Sequence, residues 1–112
     1  MKKIEAVIRP EKLEPVRTAL ADMGILGMTV SGVSGRGRQR GITLQWRVGE
    51  YRVEFLPKVK IEVVVMEEDL GKALSAIVRS ARTGERGDGK IFVLPVENAV
   101  RIRTGDQAES AI

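Results

Sequence analysis

The sequence predicts an α+β domain of the split β-α-β, ferredoxin-like kind, in which two helices lie on an antiparallel sheet. Three observations carry that expectation. Two stretches of strand-like alternation are each followed by apolar residues at helical spacing. Each such pair closes on a further run of β-branched residues. The length of 112 residues suits a single domain, 1–112, that buries one core without disulfide or structural metal.

The first unit opens with Lys3-Ile4-Glu5-Ala6-Val7-Ile8, which alternates and then meets Pro10. Leu13, Val16, Leu20 and Met23 then recur at helical spacing up to a stop at Gly24. Pro15 fits a helix beginning near Lys12, because in the first turn its missing N–H has no partner to lose. Met28 to Val33 supplies a second strand. The second unit starts after Pro57, with a strand over Val59–Val65 and a helix whose buried face carries Leu70, Leu74, Ile77, Val78 and Ala81. Ile91–Leu94 reads as a fourth strand and Ala99–Arg103 as a shorter fifth, before a polar tail beginning at Gly105. Leu13, Leu20, Met23, Leu74 and Ile77 are assigned to the core.

Between the two units runs a segment, 37–55, that is too long for a routine connection in so small a domain. Ile42, Leu44, Trp46 and Val48 alternate, and Tyr51, Val53 and Phe55 resume the pattern after Gly49-Glu50, which predicts a protruding hairpin. It holds the chain's one Trp and one Tyr, and the sequence favours Trp46 and Tyr51 as anchors for a partner protein.

Composition narrows the chemistry. The chain has no Cys and no His, which removes the thiol nucleophile, the Cys/His zinc site, the Ser-His triad and the usual neutral-pH proton shuttle. Metal enters only through oxygen ligands, and a binding protein is expected rather than an enzyme. No apolar stretch approaches the roughly 20 residues of a membrane span, and Met1-Lys2-Lys3-Ile4 leads into a strand pattern rather than a signal core, so a cytoplasmic protein without membrane insertion is expected. The net charge is +4, and it is local: from Gly35 to Lys60 there are seven basic residues against the acidic pair Glu50 and Glu54.

Two glycine-rich cationic segments stand out, Gly35-Arg36-Gly37-Arg38-Gln39-Arg40-Gly41 and Thr83-Gly84-Glu85-Arg86-Gly87-Asp88-Gly89-Lys90. Glycines let backbone N–H groups close on a ligand, and the interleaved cations supply charge, so both read as cradles for a nucleotide polyphosphate. The second matches GxxxxGK, but Ile91 stands where a P-loop needs Ser or Thr, and a strand follows where a helix is required. Gly35, Gly37 and Gly41 miss GxGxxG by one residue, which excludes a dinucleotide fold. Ordinary tight turns explain either segment alone; together, the loops leaving the second strand and entering the fourth are expected to approach the same sheet edge. Arg101 and Arg103 share one strand face, as do Lys58, Lys60 and Glu62, and are expected to point at one cleft.

Three segments together, MKKIEAVIRPEKL, GMTVSGVSGRGRQRG at 27–41 and TGERGDGKIFVLPVENAVRIRTG at 83–105, resemble the PII nitrogen-signalling proteins, and the likeness runs from Met1 to Ile112. The resemblance implies a homotrimer that binds ATP or ADP between subunits and senses 2-oxoglutarate. It implies that Gly35, Gly37, Arg38, Gly87, Asp88, Gly89 and Lys90 form one wall of the nucleotide cleft, with Thr29 and Val64 near its base and Arg101 and Arg103 reaching in from the neighbour (loop 83–90; C-terminal segment 101–112). It further implies that Gln39 gives an oxygen to Mg²⁺ held by ATP, and that 2-oxoglutarate chelates the same ion and meets Lys58 and backbone near Gly41. The loop 37–55 would then report the bound metabolite to an ammonium transporter or a nitrogen-metabolism enzyme. Arg47 matches a transporter-blocking arginine and Tyr51 a site of nucleotidylylation, whereas Gly49 cannot accept the serine phosphorylation of another branch. Arg36 stands where the family commonly has an aromatic, and Ile42, Leu44 and Trp46 make this loop more apolar than usual.

Two other functions fit parts of the chain. An RNA-binding module shares the sheet topology and the basic loop, but its stacking platform needs exposed rings on central strands and only Phe92 is expected there, so nucleic acid is not expected. A slow phosphohydrolase would use bound Mg-ATP with Asp88 or Glu62 orienting water, and the sequence offers it no convincing base.

Overall fold

Alternation of small and branched apolar residues sets the sheet, and the helices cover only one side of it. In the computed structural model, which describes residues 1–36, 42–46, 49–53 and 55–112, with 42–46 and 49–53 described as backbone, β1 spans Lys2–Ile8 and a 3₁₀ turn Pro10–Lys12 leads into α1, Leu13–Ala21. Pro15 falls in the first turn of α1, as expected, and Gly24 closes the helix at a φ of 81° with its N–H on the Ala21 carbonyl. β2 covers Thr29–Gly35 and β5 Leu56–Val65; α2 covers Glu67–Ala81 and β6 Gly89–Pro95, and between β2 and β5 lie β3, Ile42–Trp46, and β4, Gly49–Val53.

The four long strands form one antiparallel sheet in the order β2-β5-β1-β6, which is the split β-α-β arrangement. Ile4, Ala6 and Ile8 of β1 and Ile61, Val63 and Val65 of β5 point to the helix side, where they meet Val16 and Leu20 of α1 and Ala73, Ile77 and Ala81 of α2. Leu13, Met23, Leu70 and Leu74 pack partly buried around this cluster. Val78, expected on the buried face of α2, is 39% exposed instead, and the small Ala73 and Ala76 are buried.

The other sheet face is uncovered. Lys3 bridges Glu5 at 3.2 Å and Glu62 at 2.9 Å, and Lys60 reaches Glu62 at 3.1 Å, so a charged chain crosses the two central strands there. The register puts Phe92 opposite Glu5 and Leu94 opposite Lys3 on that face, and they are 53% and 39% exposed.

The hairpin is present, with Ile42 opposite Val53, Leu44 opposite Tyr51 and Trp46 opposite Gly49. Gly49-Glu50, expected to form the turn, instead begin β4, where Gly49 already pairs with Trp46. The fifth strand expected over Ala99–Arg103 is absent. Val100 makes a single bridge to Gln107, and the chain folds back tightly, with Arg101 N–H on the Asp106 carbonyl at 2.8 Å and Gly105 N–H on the Arg101 carbonyl at 2.7 Å. Asn98 secures the return, its side-chain oxygen accepting from the N–H groups of Ala99 and Ala108. Among the described residues no helix is long and apolar enough to cross a membrane.

Candidate functional site

The antiparallel ladder brings the last residues of β2 and β1 and the first residues of β5 and β6 to the same end of the sheet. β2 and β6 are the outer strands on opposite sides, so the two glycine segments share an end of the sheet rather than an edge. Between them lies a cleft of about 680 Å³ whose lining includes Gly35, Arg36, Lys58, Gly87, Gly89 and Lys90, with Val7 and Phe92 at its floor and Glu85, Arg86 and Asp88 in its wall.

Two glycines shape the cleft, one because nothing else fits and one because a side chain there would crowd Lys58. Gly89 holds a φ of 108°, and a Cβ on it would stand 1.8 Å from the Val7 carbonyl oxygen. A Cβ on Gly35 would press to 3.3 Å against Lys58 Cγ, which narrows the room beside that side chain.

Asp88 organises the loop 83–89 by turning both carboxylate oxygens inward. Oδ1 accepts from the Thr83 hydroxyl at 2.5 Å and from Arg9 Nε at 3.0 Å, while Oδ2 accepts from the N–H groups of Thr83 and Gly84, each at 2.9 Å. The Thr83 hydroxyl, the Thr83 N–H, Arg9 and the Gly84 N–H hold the Asp88 carboxyl well below its usual range, against a smaller opposing effect of burial. Those oxygens are thus engaged by the loop and by Arg9, and the cleft keeps a cationic lining from Arg36, Lys58, Arg86 and Lys90.

Lys58 is the one buried charged residue among those described, 8% exposed, and its ammonium donates to the Gly87 carbonyl. Burial pushes its pKa down, and the neighbouring Arg9 charge pushes the same way; Glu11 and Asp88 partly oppose them. A desolvated ammonium held by one neutral carbonyl is poised to take a carboxylate or phosphate oxygen in exchange.

The remaining expected residues divide. Thr29, Glu62, Val64 and Arg101 line a second hollow of about 780 Å³ that also takes in Ile112. Lys58 and Val64 are six residues apart on β5, about 20 Å at the rise of a strand, so this hollow lies at the other end of the sheet. Within one chain, then, Thr29 and Val64 do not join the first cleft. Lys58, Lys60 and Glu62 do not share one cleft either: Lys58 lines the first, Glu62 the second, and Lys60 neither. Arg103 is exposed in the turn after Arg101 and lines neither hollow. Gly37, Arg38, Gln39, Gly41 and Arg47 lie outside the described residues, as do the side chains of Trp46 and Tyr51.

Sequence reasoning missed Arg9 and Thr83, the residues that fix the loop around Asp88. The signal for Arg9 is its place directly after β1, but only the observed pairing of Ile8 with Gly89 shows which loop it faces.

The family model described as Nitrogen regulatory protein P-II matches residues 1–106. The chain is 56% identical to the nitrogen regulatory protein P-II of Pasteurella multocida and 57% identical to that of Haemophilus influenzae, each over 112 residues and the whole of both chains. It is 54% identical to nitrogen regulatory protein P-II 1 of Escherichia coli K12, again over the full length of both.

Proposed function

The chain belongs to the nitrogen regulatory protein P-II family and has a nitrogen-regulatory signalling role; from that premise we propose that it senses ATP or ADP together with 2-oxoglutarate. The observation that supports this reading most is the convergence of Gly35, Lys58 and Gly87 to Lys90 around one cationic cleft. Positive-φ glycines and four cations suit a polyphosphate.

The unit is a homotrimer, and the nucleotide lies between subunits. In support, the two hollows sit at opposite ends of a sheet face that carries exposed Phe92 and Leu94, and each holds a different part of the expected residue set. The wall with Lys58 and Lys90 comes from one copy, and the wall with Thr29, Val64, Arg101 and Arg103 from its neighbour. Lys58 takes a carboxylate of 2-oxoglutarate in place of the Gly87 carbonyl.

The described lining repels a bare cation, so Mg²⁺ fits this site only in the company of phosphate oxygens, with Gln39 as the protein ligand and Gly41 backbone near the keto acid. Bound there, it would neutralise phosphate charge and join nucleotide to effector. Loop 37–55 then carries the signal through Trp46, Arg47 and Tyr51 to an ammonium transporter or a nitrogen-metabolism enzyme in the cytoplasm, and Tyr51 is a candidate for nucleotidylylation.

Calorimetry with ATP, with and without 2-oxoglutarate and Mg²⁺, tests the ligands: each should tighten the other's binding, and saturable binding of neither would overturn the reading. Subunit mixing tests the shared cleft. Lys90→Ala and Arg101→Ala proteins should each bind poorly, and refolding them together should restore about a quarter of the sites, where two unaltered walls meet. No recovery would place the nucleotide within one subunit.

A further inference from the structure

Arg9 lies outside the lining of the cationic cleft, yet it ties down the loop that forms the wall. Its guanidinium makes two directed contacts 79 and 77 residues away in sequence, Nε to Asp88 Oδ1 at 3.0 Å and Nη2 to the Arg86 carbonyl at 2.7 Å. We infer that Arg9 is a positioning residue for the nucleotide site, holding the backbone of residues 83–89 in its phosphate-receiving shape before any ligand arrives.

The need for such a brace follows from the loop's own chemistry. Gly84, Gly87 and Gly89 hold φ values of 89°, 93° and 108°, and glycine loses more conformational freedom on ordering than any other residue. A loop left loose would lose that freedom on ligand binding and weaken affinity; one fixed in advance does not. Across a trans peptide the N–H of one residue points opposite to the preceding C=O. Drawing the Arg86 carbonyl toward Arg9 therefore turns the Gly87 N–H away from Arg9. The same guanidinium, through Asp88, steadies the N–H groups of Thr83 and Gly84. Lys58 holds the intervening Gly87 carbonyl, so three successive residues of the loop are fixed from Arg9, just past β1, and from β5.

The planar fork of an arginine is what this contact uses. A lysine at position 9 keeps the charge but offers a single ammonium, which cannot meet an acceptor along each of two directions fixed by one plane. Charge alone and positioning thus make different predictions.

This inference rests on the nucleotide reading, and its test separates the two. ATP affinity would be measured by calorimetry for the unaltered protein, Arg9→Ala, Arg9→Lys and Asp88→Asn, at low and high salt, beside hydrogen exchange of the amides of Thr83 and Gly84. Arg9→Ala should lose about tenfold in affinity, Arg9→Lys should recover only part of it, and both losses should persist at high salt. The Thr83 and Gly84 amides should exchange faster in all three variants. Affinity unchanged in Arg9→Ala, full recovery by Arg9→Lys, or a loss that disappears in high salt would overturn the inference. If Arg9→Ala fails to fold, Arg9→Lys and Asp88→Asn give the same decision through the exchange of those amides and the ATP affinity. An unaltered protein that binds no ATP would overturn the nucleotide reading, and this inference with it.

Discussion

The carbonyl oxygen of Val7 faces Gly89 so closely that a Cβ there would stand 1.8 Å away. β1 and β6 are paired at this point, Val7 with Lys90 and Ile8 with Gly89, so neither backbone has room to retreat without breaking the ladder. Gly89→Ala should therefore destabilise the fold by about 2 kcal/mol or more, of order 10 °C in Tm, and open the cleft wall. A thermal melt within 2 °C or so of the unaltered protein would contradict this account.

Asp88 links stability to acid. Its carboxyl is held well below the ordinary 3.8, so it releases its proton more readily folded than unfolded. The stability this contributes is fully present above pH 3.8 and is lost as pH falls below it toward the depressed value. Asp88→Asn should thus be less stable than the unaltered protein at pH 7 in urea titrations, with a gap that narrows on acidification below pH 3.8. A gap constant from neutral pH into strong acid would show that Asp88 carries no such linkage.

On the proposed reading, Lys58 links effector binding to base. Its pKa lies below 10.5, chiefly because the ammonium is buried. An acidic ligand needs the charged form, so 2-oxoglutarate affinity should hold at neutral pH and fall as pH rises through the lowered pKa. Lys58→Arg keeps its charge throughout, and any residual affinity in that variant should stay flat across the same range. Parallel alkaline losses in the two proteins would assign the effect elsewhere.

The two sides of the sheet should answer differently to substitution. Ile61 is fully buried between sheet and helices, so Ile61→Ala should cost about 2–5 kcal/mol in chemical denaturation. Leu94 is 39% exposed on the open face, and Leu94→Asp should leave the circular dichroism of the fold intact while shifting the elution volume toward a single chain. An unshifted elution volume would argue against association through this face.

Periodicity made the strands, both helices and the hairpin legible, because each presents an apolar set at its own repeat. The segment after Pro95 was misread because Val100 and Ile102 imitate a strand without one: Ile102 is fully exposed, and the Arg101 to Asp106 turn satisfies its backbone locally. The glycines announced a cleft, but not its partition. Strand order decides that Gly35 and Gly89 meet at one end of the sheet while Thr29 and Val64 lie at the other, and no local pattern encodes strand order. Arg9 was invisible for the same reason, since its meaning is a contact across 79 residues.

Because β2 ends at Gly35 and β6 begins at Gly89, the lips of the cleft are set apart by three strand spacings, at least about 14 Å. That width is a gauge cut by main-chain hydrogen bonding through β5 and β1, and exchanging surface side chains leaves it untouched. Relatives with quite different exteriors can therefore keep one calibre, and altering it would take a bulge or an inserted strand.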